Sequence, residues 1–194
     1  ERTCTCIFTA EEQRCTPVLN GTVRDTNDTT LALTGDENTL IRFHSNALCS
    51  CTAAGRNGAA VTKQQVNGHT LSQGQYVLSA VEGSSFRFSA VDSRGYEAQQ
   101  TVECTMIPYS RLTNNATVSR LGAASSRARL TVRGECFCGS FGQTENTLSV
   151  FYSIAGGPLQ QAQPVMENGR YYLELMLSDL DYESSFLIEV TVAD

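Results

Sequence analysis

Alternation of apolar and polar residues, broken at short intervals by turn signals, does most to limit what this chain can fold into. Ser85-Phe86-Arg87-Phe88-Ser89-Ala90-Val91 puts Phe86, Phe88 and Ala90 on one face, and Ala128-Arg129-Leu130-Thr131-Val132-Arg133 does the same with Leu130 and Val132. Successive side chains of a strand point to opposite faces, so each segment predicts a strand with one dry and one wet side. Between such runs stand Asn57-Gly58, Asn67-Gly68, Asp92-Ser93-Arg94-Gly95, Gly156-Gly157 and Asn168-Gly169, residues that accept the positive φ of hairpin turns. Helical spacing is nearly absent, and Asp36 to Arg42 reads as one short helical turn or a loop. Turns about every 8–12 residues, with no helices between the strands, favour a sandwich over a parallel α/β sheet.

Length alone admits one large domain or two small ones, and 194 residues accommodate two sandwiches of about 100 residues each. A weak internal repeat agrees. Thr16-Pro17-Val18-Leu19 with Asn20-Gly21-Thr22-Val23 recurs as Ile107-Pro108-Tyr109-Ser110 with Asn115-Ala116-Thr117-Val118. In both copies the proline follows a strand-like run, where it ends one domain and begins the next. The expected fold class is therefore all-β, two tandem immunoglobulin- or fibronectin-III-like β-sandwiches. Residues 15–107 form the first and 108–194 the second; residues 1–14 are the last strand of a preceding domain, or a linker. Glu1 to Gln13 lacks the basic start and apolar core of a secretory signal, and the strand-like run Phe186 to Val192 stops at Asp194. Both ends read as cuts in a longer polypeptide.

Charge and hydropathy narrow the partners. Asp and Glu number 20 against 14 Lys and Arg, a net charge of −6 with no basic run, which speaks against nucleic acid. The clearly apolar stretches are only a few residues long, as in Phe186-Leu187-Ile188, far below the ~20 that span a bilayer. No membrane insertion is expected.

Nothing in the chain spells a reaction. His44 and His69 have no nucleophile partner and read as surface residues; there is no Gly-x-Ser-x-Gly elbow, His-Glu-x-x-His or P-loop. Asp179, Asp181 and Glu183 fit a solvated turn better than a cation site or a glycosidase carboxylate pair. The expectation is a non-enzyme without cofactor or metal. Asn20, Asn27 and Asn115 begin Asn-x-Ser/Thr triplets, which arise readily in an Asn- and Thr-rich β protein.

The eight cysteines are Cys4, Cys6, Cys15, Cys49, Cys51, Cys104, Cys136 and Cys138, six of them in Cys-x-Cys pairs. On a strand, residues i and i+2 share a face about 7 Å apart, so the two thiols of a pair are poorly placed to bond each other. Three readings stand: disulfides to neighbouring strands, buried thiols acting as small apolar residues, and structural zinc, for which the usual Cys-x2-Cys knuckles are missing. A second candidate group is Arg94 and Tyr96 with Pro108, Tyr109 and Arg111. These residue types mark interfaces. The preferred reading has Tyr109 packing beside Pro108 to set an angle between domains.

An ordered series of segments resembles structural tail or tail-tip proteins of long-tailed bacteriophages, those of Gram-positive hosts in particular. It includes Asn27-Asp28-Thr29-Thr30-Leu31-Ala32-Leu33-Thr34-Gly35-Asp36, Leu40-Ile41-Arg42-Phe43-His44-Ser45-Asn46-Ala47, Phe88-Ser89-Ala90-Val91-Asp92-Ser93-Arg94-Gly95, Ile107-Pro108-Tyr109, Gly139-Ser140-Phe141-Gly142 and Leu180-Asp181-Tyr182. The series runs from about Pro17 to Asp194. It implies an extracellular virion protein whose immunoglobulin-like domains act as spacers or touch the host. Its implied partners are other tail proteins and a host cell-surface glycan or protein, with room for a homo-oligomer. The cysteine-rich Cys136-Phe137-Cys138 departs from the family, which more often carries an aromatic and a polar residue there. The alternative is a cell-surface adhesin or carbohydrate-binding module, against which the absence of Trp counts.

Overall fold

The alternation becomes strand pairing across residues 14–194, the residues that a computed structural model of the chain describes. Between Pro108 and Tyr109 the chain divides into two compact units. The first unit holds β1 (Val18–Asp25), β2 (Thr39–Ile41), β3 (Ala47–Ala54), β4 (Val61–Val66), β5 (His69–Thr70), β6 (Gln75–Leu78), β7 (Ser85–Asp92), β8 (Glu97–Glu103) and β9 (Thr105–Ile107). Two antiparallel sheets, β1-β3-β6 and β5-β4-β7-β8, are joined by a short parallel pair, β2-β9. Both sheets feed one core: Val23 from β1, Cys49 and Cys51 from β3, Val66 from β4, and Phe86 and Phe88 from β7. Burying each phenylalanine contributes about 1.5–3 kcal/mol. Gly21 is glycine for a packing reason, since a Cβ there would stand 2.5 Å from the Phe88 ring of the other sheet.

The second unit holds β10 (Asn115–Arg120), β11 (Ala128–Glu135), β12 (Ser149–Ile154), β13 (Gln160–Ala162), β14 (Val165–Glu167), β15 (Arg170–Leu177) and β16 (Ile188–Ala193). Its sheets are β10-β11-β15-β14 and β13-β12-β16. Leu130 and Val132 of β11, Val150 of β12, and Tyr171 and Leu173 of β15 fill its core. The Tyr171 hydroxyl satisfies itself by donating to the Thr113 carbonyl at 2.8 Å. The chain is thus mostly β and sandwich-like. Asn67-Gly68 and Asn168-Gly169 form the two-residue hairpins β4-β5 and β14-β15, with positive φ at all four residues.

Among the described residues one α-helix forms, α1 (Asp28–Thr34), ahead of the stretch Asp36 to Arg42, which is neither a short helical turn nor simply a loop but holds β2. Asn27 caps α1 by accepting from the Thr29 N–H, and Gly35 closes it with φ 68°. The buried face of α1 is Thr30 and Thr34 instead of an apolar stripe. Thr30 reaches the carboxylate of Asp25, which is only 2% exposed. Oδ2 of Asp25 accepts from Thr30 Oγ1 (2.5 Å) and Ser45 Oγ (2.6 Å), and Oδ1 from the backbone N–H of Asn27 (3.0 Å) and Asn46 (3.1 Å). Four donors thus tie α1 and the turn after β2 to the end of β1.

The two units also share a turn. Leu78-Ser79-Ala80-Val81 leads to Phe86, and Leu177-Ser178-Asp179-Leu180 to Phe186. Ala80 (φ 50°) and Asp179 (φ 60°) are both left-handed, and the next residue, Val81 or Leu180, plugs the core. Val81 N–H donates to the Ser45 carbonyl (3.2 Å) and Leu180 N–H to that of Ser126 (2.9 Å). Leu78 pairs with Ala47 and Leu177 with Ala128. Superposing these pairs sets Cys49 and Cys51 of β3 against Leu130 and Val132 of β11.

Candidate functional site

The cysteines fall into two environments. Cys15, Cys49, Cys51, Cys104, Cys136 and Cys138 all carry free thiols, so disulfides are not found among the described residues; Cys4, Cys6 and the proposed remnant strand lie outside them, save Arg14. Cys49 and Cys51 occupy inward positions where the second unit has Leu and Val. Burial, then the nearby Cys104 sulfur, pushes the Cys49 thiol up to about 12. Burial also raises Cys51, and burial with Glu103 raises Cys104. Held protonated, these thiols act as small apolar groups.

Cys136 and Cys138 are different. β11 ends at Glu135, and the next residues leave the ladder, so the two side chains are not held apart by strand geometry. Their sulfurs lie 3.4 Å from each other, which corrects the expectation that the thiols of each pair stay too far apart to bond. Cys136 is 1% exposed and its N–H donates to Gly169 O at 3.0 Å, whereas Cys138 faces solvent. Between them, Phe137 packs on Phe141 (5.1 Å between centroids) and Tyr109 (5.7 Å), and its carbonyl accepts from Asn146 Nδ2 at 2.8 Å. Gly139 leaves room for the Phe137 ring, which a Cβ would meet at 2.7 Å. Burial, then the hydrogen bond with Cys138, pushes Cys136 up to about 12.

Arg94 and Tyr96 lie in the first unit, and Tyr109 and Arg111 in the second. Arg94 is a clamp: its Nη2 donates to Asp92 Oδ2 (2.7 Å) and to the carbonyls of Cys15 and Arg56 (both 3.0 Å), and its guanidinium lies 5.3 Å from the Tyr96 ring centre. Burial opposes the charge of Asp92, but the Arg94 side chain and the N–H groups of Arg94 and Tyr96 outweigh it and hold the carboxyl below its ordinary range. Tyr109 stacks within its own unit and donates to Asp194 Oδ2 at 3.1 Å. Pro108 ends the first unit.

No family model matches the chain, and no curated protein matches it.

The remaining candidates are exposed. His44 and His69 lie on the surface, the latter stacked on Tyr76 at 4.8 Å. Asp181 organises its turn by accepting from Ser184 Oγ (2.6 Å) and Glu183 N–H (3.0 Å), which hold its carboxyl low, while Arg120 Nη2 donates to the carbonyls of Asp181 and Ser184. The second unit also carries an open groove of about 1020 Å³ lined by Asn115, Arg133, Glu135, Arg170, Tyr171 and Tyr172 among others. Among the described residues, no helix is long and apolar enough to cross a membrane.

Proposed function

We propose that the chain holds two tandem immunoglobulin- or fibronectin-III-like sandwiches and serves, without catalysis, as a structural part of a bacteriophage tail, as spacer or host-surface contact. Strand order supports the fold. Lettered in chain order with β2 and β9 set aside, β1-β3-β6 reads A-B-E, and β4, β7 and β8 read C, F and G with β5 added beside C. In the second unit β10-β11-β15-β14 reads A-B-E-D, and β12 with β16 reads C-F. The observation that carries the functional reading is the shared turn at Val81 and Leu180, the mark of one folding unit used twice. Tandem use of one unit gives a protein reach without requiring a reaction, which accords with the tail-protein resemblance.

The test is immunogold electron microscopy of particles from the source culture with antibodies against the whole chain. Gold on tails is expected; particles without gold refute the virion assignment. A second reading, a carbohydrate-binding surface module, is favoured by the groove beside the exposed ring of Tyr172. Gold on cell envelopes together with glycan-array hits abolished by Tyr172→Ala would establish that reading instead.

A further inference from the structure

We propose that Cys136 and Cys138 form a redox-active dithiol that exchanges with low-molecular-weight disulfides and closes a Cys136–Cys138 disulfide across Phe137. Geometry comes first. The sulfurs are already in van der Waals contact at 3.4 Å, and a disulfide bond of about 2.05 Å needs only a small further approach. Both residues follow the end of β11, and the backbone tie that remains there, Cys136 N–H to Gly169 O at 3.0 Å, involves neither sulfur. The residue between them is held: Phe137 is clasped by Phe141 and Tyr109, and Asn146 anchors its carbonyl.

The pair is also asymmetric in the way that exchange requires. Cys138 is open to solvent and meets the substrate, whereas Cys136 is buried behind it. Cys49 and Cys51 serve as an internal contrast. They have the same spacing, but both are buried on the inner face of β3, where no disulfide substrate reaches either.

The exchange balances as follows. Deprotonated Cys138 Sγ attacks one sulfur of R–S–S–R, forming Cys138–S–S–R and releasing R–S⁻, which takes up the proton Cys138 gave to solvent. Cys136 then loses its proton, and its sulfur attacks Cys138 Sγ, breaking the bond to the second R–S⁻, which is protonated in turn. One disulfide is reduced by two electrons to two thiols, and the dithiol is oxidised to one disulfide. Burial keeps Cys136 protonated, so the second step is the slow one and the mixed disulfide at Cys138 accumulates first.

The experiment incubates the reduced full chain with oxidised glutathione, quenches by alkylation at intervals, and maps modified peptides by mass spectrometry. The expected sequence is glutathione on Cys138, modified at least about tenfold faster than Cys49 or Cys51, followed by loss of glutathione as the Cys136–Cys138 link forms. Cys136→Ala should stop the reaction at the mixed disulfide. Cys138→Ser changes an exposed position, so the fold is kept, and should leave Cys136 unmodified. A wild-type adduct that never resolves, a link from either residue to another cysteine, or Cys138 reacting no faster than Cys49 would each overturn the proposal.

Discussion

Asp25→Ala tests whether the buried carboxylate is what holds α1 and the turn after β2 in place. Four donors lose their acceptor. Thr30 Oγ1 retains the Asn27 carbonyl at 3.0 Å as an alternative, which leaves Ser45 Oγ and the N–H groups of Asn27 and Asn46 as losers. A buried donor left unpaired costs about 1–3 kcal/mol. Removing the carboxylate also removes its own desolvation cost, which offsets part of that sum. The expected net loss is about 3–4 kcal/mol, read as a fall of roughly 2 M in the urea midpoint followed by circular dichroism. Hydrogen exchange then localises the effect: amides of Asn27 and Asn46 should speed up, while those of β11 and β15 stay unchanged. Asp25→Asn, which keeps the shape and one acceptor oxygen, should lose less than half as much. A loss below about 1 kcal/mol with unchanged exchange at Asn27 and Asn46 refutes the reasoning, because the hydrogen bonds would then carry no net stability.

Gly134→Ala would set a Cβ 1.9 Å from the Thr113 carbonyl and 2.7 Å from the Tyr171 ring; it should destabilise the second unit by at least about 2 kcal/mol in thermal melts, and an unchanged melt rejects this packing. Cys51→Val, which copies the second unit's Val132, should change stability by less than about 1.5 kcal/mol; a loss twice that size contradicts an apolar role for the thiol. The Cys49 thiol sits at about 12 against an ordinary 9.0, so the fold favours its protonated form, and that stability is complete below pH 9 and lost as pH climbs towards 12. In urea titrations across that range wild type should lose stability that Cys49→Ala does not lose, and parallel curves refute the assignment. Asp92 is held below its ordinary 3.8, so its contribution is present above that pH and lost as pH falls through the depressed value. Arg94→Gln should flatten acid unfolding of the first unit, and an unaltered acid limb rules out the clamp.

The strands with one wet face were legible because their period is simple: β7 and β11 follow from alternation at Phe86, Phe88, Leu130 and Val132. Helix α1 was not, because it buries threonines against a carboxylate and so shows no apolar stripe. The available signals were terminal ones, Asn27 before the helix and Gly35 after it. The shared turn also had a trace in the residues, Leu-Ser-x-Val/Leu followed by Ser-Ser-Phe about 100 positions apart. The thiol pair was misread because a strand was assumed to run through Cys136 and Cys138. Gly139 and Gly142, close behind, marked the chain's departure from it.

The parallel pair β2-β9 has a consequence for local opening. β9 ends at Ile107, one residue before the border between the units, and its ladder to Thr39, Leu40 and Ile41 is extended by Arg42 N–H donating to Ile107 O at 3.1 Å. The last residues of the first unit are therefore fastened to a strand formed far earlier in the chain, and cannot fray without breaking that ladder. Three residues of parallel strand thus act as a latch where the chain leaves the first unit.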